Sequence, residues 1–183
     1  MPPITLIIDW CFAAFRVMIG RAEALNDLDL TERGFWASFW AFPLALPLEF
    51  LRALSREQVE TNIGYTLFSE LGIAAVLWFA PLIVLIAIAR PLGFSDRFPT
   101  LVIASNWGTL TFAVLMLPLF VADILVGGSG LEVLFLVALC ASLYFGFMLT
   151  HTSLAGPIAL SFTVFAINLA VTMPLAVWLH ASS

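Results

Sequence analysis

From residue 34 onward the chain alternates long apolar runs with short breaks of charged, Gly or Pro residues. About 20 consecutive apolar residues are what a helix needs to cross a bilayer. Five such segments can be drawn: Gly34–Leu51, Leu71–Ala89, Thr100–Val126, Leu131–Thr150 and Pro157–His180. Trp36 and Trp40 near the start of the first suit an interface anchor. Pro43 and Pro47 make that segment irregular, and Arg90-Pro91 stops the second. Gly127-Gly128-Ser129-Gly130 predicts a tight hairpin, and His151-Thr152-Ser153 a minimal turn. Ser55 with Gln58 three residues later matches a capping box. A helix from there to Ala89 would be about 51 Å long, against a hydrocarbon core of about 30 Å. Its first turns must then stand outside the membrane, or it breaks near Gly64 or Gly72.

The first 24 residues follow a different pattern. Asp9, Arg16 and Glu23 recur every seven positions, so on one continuous helix they form a single polar stripe. Ile7, Trp10, Cys11, Phe12, Phe15, Met18 and Ile19 occupy the other faces. A charged stripe on so short an apolar stretch predicts a helix lying in the plane of the membrane surface. Trp10, Phe12, Phe15 and Arg16 are its membrane-surface residues. A polar linker follows, in which Asp29 or Thr31 can cap the next helix. The expected architecture is all-α: residues 1–33 as interfacial amphipathic helix and linker, and 34–183 as a five-span transmembrane bundle.

Composition agrees with that pattern and narrows the function. Of 183 residues, 62 % are hydrophobic and 10 % charged, with a mean hydropathy of +1.08. A soluble domain carries about 25 % charged residues. Seven Arg, no Lys and a net charge of -5 argue against a nucleic-acid partner. Two Cys, both in apolar runs, argue against a disulfide scaffold. Arg without Lys in an Ala- and Leu-rich chain points to a GC-rich bacterial genome and so to the inner membrane. With five spans, Arg16, Arg21, Arg33, Arg90 and Arg97 share one side, and Arg52 and Arg56 the other. That asymmetry places the N-terminus in the cytoplasm.

No motif of hydrolases, zinc proteases, P-loops or dithiol redox proteins occurs. Neither catalytic residues nor a cofactor or metal are expected, and the chain reads as a non-enzyme. Ser153 lies close to His151 in sequence, but a tight turn is a poor place for a nucleophile pair. The polar residues inside or beside the spans are the candidates for an ion or polar site: Glu49, Glu70, Asp123, Asn106 and Asn168. A carboxylate costs about 2.5–3.5 kcal/mol at a helix centre and less near a span end. Paired with Arg52 or Arg56 at the headgroup level, the three acids are structural. Unpaired, they would suit a cation or proton. Asn106 and Asn168 sit deeper and are expected to hydrogen-bond between helices.

Lipid gives helices no hydrophobic reason to associate, so small residues must let them approach. Ala138, Ser142, Gly146 and Thr150 form one such stripe, and Ala159, Thr163, Ala166 and Ala170 another. Packing of these stripes against each other inside the bundle is the expectation, and use of one as a dimer interface the alternative.

An amphipathic lead-in, five spans, tight loops and a Tyr in the fourth span (Leu143-Tyr144-Phe145-Gly146) make the layout of residues 34–180 resemble the Yip family of five-span membrane proteins. That family carries Asp-Leu-Tyr-Gly-Pro before its first span. Asp29-Leu30-Thr31-Glu32-Arg33 stands here instead, so no functional residue carries over. The resemblance implies an adaptor or organiser of membranes. The expected function is a non-enzymatic adaptor, organiser or small accessory subunit, with the bilayer and another membrane protein or a second copy as partners. The alternative is a small oligomeric transporter or channel for a cation, proton or small solute.

Overall fold

The computed structural model describes residues 2–55, 63–126 and 130–182, with the side chains of 49, 52–55, 63–67, 180 and 182 outside the description. Seven α-helices are found among them: α1 Ile4–Met18, α2 Glu32–Ser38, α3 Ala41–Ser55, α4 Ile63–Ala89, α5 Phe98–Val126, α6 Glu132–Leu154 and α7 Ile158–Ser182. The capping box, the Gly127–Ser129 hairpin and the side chains of Glu49 and Arg52 fall outside the described residues.

Among the described residues four segments are long and apolar enough to cross a membrane: Phe68–Ala89, Ser95–Val126, Glu132–Leu154 and Ile158–Leu179. The expected first span is not a fifth. Gly34–Leu51 is divided between α2 and α3, with Phe39 and Trp40 in a turn between them. Pro43 supplies the reason. It has no N–H to give the Phe39 carbonyl, and its ring crowds that same carbonyl. The chain answers with tighter bonds, Trp40 N–H to Ala37 O at 3.1 Å and Phe42 N–H to Phe39 O at 3.2 Å. The remaining helix, α3, has 15 residues, about 22 Å of rise.

The turn before α7 is also displaced from its expected place. His151–Ser153 continue α6, which ends at Leu154. Nothing in His-Thr-Ser breaks a helix, whereas Gly156-Pro157 does. Ala155 makes the reversal in the left-handed region, at φ 47°.

Helices α5, α6, α7, α4 and α3 form a ring, each against the next, and α3 closes it against α5. α3 runs parallel to α5: Ser38, just before it, bonds Asn106, while Leu44, Pro47 and Leu48 share a groove with Leu110, Val114 and Leu115. Helix α1 lies across α5 and α6. Its Trp10 ring is 5.0 Å from Trp107, and Phe15 meets Phe145 edge-on at 6.3 Å. The Thr111 hydroxyl donates to Trp107 O and, more weakly, to Cys11 O across the helix contact.

The apolar side of α1 is therefore divided. Ile7, Trp10, Ala14 and Val17, three or four apart, are buried on α5 and α6, with Ala13 and Met18 beside them. Ile4, Ile8 and Phe12 stay exposed. Of the expected membrane-surface residues, Phe12 faces outward, while Trp10 is buried and Phe15 half-buried against protein rings. The polar stripe is shorter than expected. α1 stops at Met18, so Glu23 is not on it, and Arg16 pairs with Asp27 at 2.7 Å.

Asp29 and Thr31 both act at the start of α2. The Thr31 hydroxyl accepts from Gly34 N–H at 3.2 Å, and Asp29 accepts from the Thr31 N–H and hydroxyl. Gly34 is forced to be Gly by this turn: a Cβ there would overlap the Asp29 carbonyl.

Burial is concentrated at one end of the ring. The end of α4, the first half of α5, the end of α6 and the start of α7 meet there under α1, Leu25, Leu28 and Phe94. At the other end Leu125, Val126, Val133 and Val137 are exposed apolar side chains, a surface suited to lipid.

Candidate functional site

Apolar helices place few polar groups inside the ring, and those few converge. Asn106, on the buried half of α5, accepts from Trp78 Nε1–H at 3.2 Å and donates Nδ2–H to Ser38 Oγ at 2.9 Å. Ser38 passes its own proton to Phe35 O at 2.7 Å. One amide thus ties α2 and α4 to α5. A side-chain hydrogen bond between membrane helices averages only about 0.6 kcal/mol, but stranding three buried groups at once costs more.

Beside this network lie two cavities of roughly 300 and 350 Å³. The first is walled by α3, α4, α5 and α7, the second by α1, α3, α5, α6 and α7. Ser105, Thr109 and Asn168 line both, so the two adjoin along a polar seam. Thr172 adds to the first, and Ser142 and Thr150 to the second.

Four hydroxyls of this chamber point their protons at their own helices. Thr109 donates to Ser105 O at 2.9 Å, Thr172 to Asn168 O at 2.9 Å, Thr150 to Gly146 O at 2.8 Å and Ser142 to Leu139 O at 2.7 Å. This is the usual way for a helical hydroxyl to satisfy itself. It leaves oxygen lone pairs facing the cavity. Among the described residues the Asn168 side chain has no hydrogen-bond partner, so its amide presents two N–H donors and a carbonyl to the chamber.

Among the described residues no ionisable side chain lines either cavity. Of the expected polar site, Asn106 and Asn168 come together, and Glu70 and Asp123 do not join them. Glu70 is half-buried near the start of α4. Asp123 is 8 % exposed on α5, 17 residues beyond Asn106, about 25 Å along the helix. Both acids belong to the end of the ring away from the buried core. Among the described residues the one ion pair is Arg16 with Asp27.

The small-residue stripes separate in the same way. On α6, Ser142 and Gly146 face the second cavity, and a Cβ on Gly146 would come within 3.0 Å of the Phe165 ring of α7. Ala138 is half-buried farther along that stripe. On α7, Ala159 and Thr163 are exposed. The face that α7 turns inward is Ser161, Val164, Phe165 and Asn168 instead. Bulkier groups win because Ser161 reaches His151 Nδ1 at 3.0 Å and Phe165 meets Phe147 edge-on.

His151 therefore bonds Ser161, not Ser153, and stacks on Phe147. Ser153 Oγ is fully buried without a partner. Burial pushes the Cys11 thiol up, and the Thr111 hydroxyl beside it pulls it partway back. Cys140 is exposed on the outer face of α6. Among the described residues no three His, Cys, Asp or Glu side chains converge as a metal site would require.

Ser38, Trp78, Ser105, Thr109 and Thr172 were not among the expected site residues. Their signal is present in the chain: polar residues at 105 and 109, and at 168 and 172, recur four apart inside otherwise apolar runs.

Among the described residues the chain is all-helical, with four helices long and apolar enough to cross a membrane and two adjoining cavities between them that no ionisable side chain lines. Compared with known proteins, it matches no family model, no curated protein and no solved structure.

Proposed function

We propose that this chain is a non-enzymatic multi-pass protein of the bacterial inner membrane that acts as an adaptor, organiser or small accessory subunit. The outward stripe of α7 carries this reading. Ala159, Thr163 and Ala170 are exposed between Ile158, Phe162 and Met173. Small residues flanked by large ones let a second helix bring its backbone close in lipid. Extraction in mild detergent followed by native mass spectrometry should reveal a second membrane protein at fixed stoichiometry. Thr163→Leu should release it, because a branched side chain holds the helices apart, and should leave the thermal stability of the chain unchanged. A bare chain of unaltered mass in both forms overturns the reading.

Removing residues 1–24 is a poor test of a docking role for α1, since Ala14 and Val17 are fully buried. The exposed arc of Ile4, Ile8 and Phe12, with Asp9 exposed beside it, suits a helix lying in the membrane surface.

For orientation, we assign the end carrying Arg21, Arg33, Arg90 and Arg97 to the cytoplasm. All four are exposed around the buried core. A single Cys at Ser95, with Cys11 and Cys140 replaced by Ser, should resist a membrane-impermeant maleimide in intact cells. Labelling from outside would invert the assignment.

The chamber favours a second reading, transport of a small solute. For a cation or proton, that reading lacks a carboxylate at the cavity among the described residues.

A further inference from the structure

We infer that the chamber is a binding site for a small uncharged ligand whose polar end donates hydrogen bonds, a primary amide or a diol on an apolar frame. This goes beyond the adaptor reading, and its test involves no partner protein.

Four observations carry it. The two cavities adjoin and are each large enough for a small ligand, about 300 Å³ being the lower end of known sites. Among the described residues their walls hold no ionisable group, so a charged ligand would meet no counter-charge from them in an apolar membrane bundle, at a cost of several kcal/mol. The Thr109, Thr150 and Thr172 hydroxyls have committed their protons to helix carbonyls and offer acceptor lone pairs. Asn168 offers N–H donors and a carbonyl with no protein partner, at the seam where the cavities meet. A polar wall between membrane helices is unfavourable unless something satisfies it. A primary amide does so directly, since its N–H meets the Asn168 carbonyl and its carbonyl meets the Asn168 N–H. The remaining wall is Trp78, Phe42, Leu82 and Phe165, which suits an alkyl or aromatic frame.

Asn106 does not share this role. Its amide is occupied by Ser38 and Trp78, so it shapes the wall and Asn168 meets the ligand.

Hexanamide is the probe, with hexanoate and hexylammonium as charged isosteres of similar size. Thermal unfolding of the purified chain in mild detergent is followed at increasing probe concentration. Hexanamide should raise the Tm along a saturating curve. Asn168→Leu should shift the half-saturation point about tenfold, equal to about 1.4 kcal/mol. Its own Tm should not fall, because the Asn168 side chain bonds no other residue among those described. Thr109→Val, nearly isosteric, should weaken the response as well and serves if Asn168→Leu does not fold. The charged isosteres should give no saturating shift. Equal half-saturation in the wild type and both variants would mean that the amide acts through the detergent, and would overturn the inference. Equal response to hexanoate would overturn it too, by removing the requirement for an uncharged ligand.

Discussion

Truncating Trp107 to alanine is expected to cost about 3–5 kcal/mol, the range for a fully buried aromatic ring. Trp107 is 1 % exposed and is the largest side chain completely enclosed in the core. It lies on α5 where α1 crosses, with the Trp10 ring tilted 40° against it. Its loss removes the main support of α1 and leaves a hole that backbone held by helix bonds on both sides cannot close. Trp10 and the α1 backbone should then become accessible. Unfolding by SDS in mixed micelles measures the loss, and limited proteolysis between residues 18 and 31 reports the release of α1. Trp107→Phe should retain most of the stability. A change below 1 kcal/mol for the alanine variant would mean that α1 is held elsewhere.

Gly34→Ala is the second large effect, about 3 kcal/mol, at the upper end of what over-packing costs. The added methyl would overlap the Asp29 carbonyl, and its next contact, the Asp29 Cγ, is 2.6 Å away. Neither can move while Asp29 holds Thr31 and Thr31 caps α2. The turn should open and α2 lose its cap, exposing residues 22–34 to protease and lowering the Tm. Asp29→Ala in the same chain should recover little, because the clash is with the backbone. An unchanged Tm for Gly34→Ala would show that the turn is free to rearrange.

The long helices were legible in the chain because four apolar runs end at charged, Gly or Pro residues that interrupt both hydropathy and hydrogen bonding. The split of Gly34–Leu51 was half legible. Pro43 announced irregularity, but whether a proline bends or divides a helix depends on what the neighbouring helices offer in exchange, here the Asn106–Ser38 bond. The face that α7 turns inward was not legible. Its two faces, Ala159–Thr163 and Ser161–Phe165, share the same spacing of four, and lipid imposes no difference in polarity between a buried and an outer face. Periodicity then gives a stripe without a direction. The same limit applies to α1, where Asp9 marks the polar side but cannot divide the remaining arc between α5 and the surroundings. At the candidate site, Asn106 and Asn168 stood out as lone amides in apolar runs. Ser105, Thr109 and Thr172 did not, because a hydroxyl bonded to its own helix is common in any span. Glu70 and Asp123 drew attention by their charge, yet charge alone does not say at which end of a bundle a residue lies.

The parting of α2 and α3 bears on how the protein is made. A 15-residue helix beginning at a proline turn is too short and too interrupted to remain in a bilayer alone, and its main contact is α5, which starts 43 residues after Ser55. At about 5–20 residues per second of synthesis, several seconds separate the emergence of α3 from that of the helix it needs. During that interval the segment must wait beside the insertion machinery or at the membrane surface. Its entry into the ring is therefore a late step, driven by α5 rather than by its own hydropathy. A slow ribosome lengthens the wait without altering the fold.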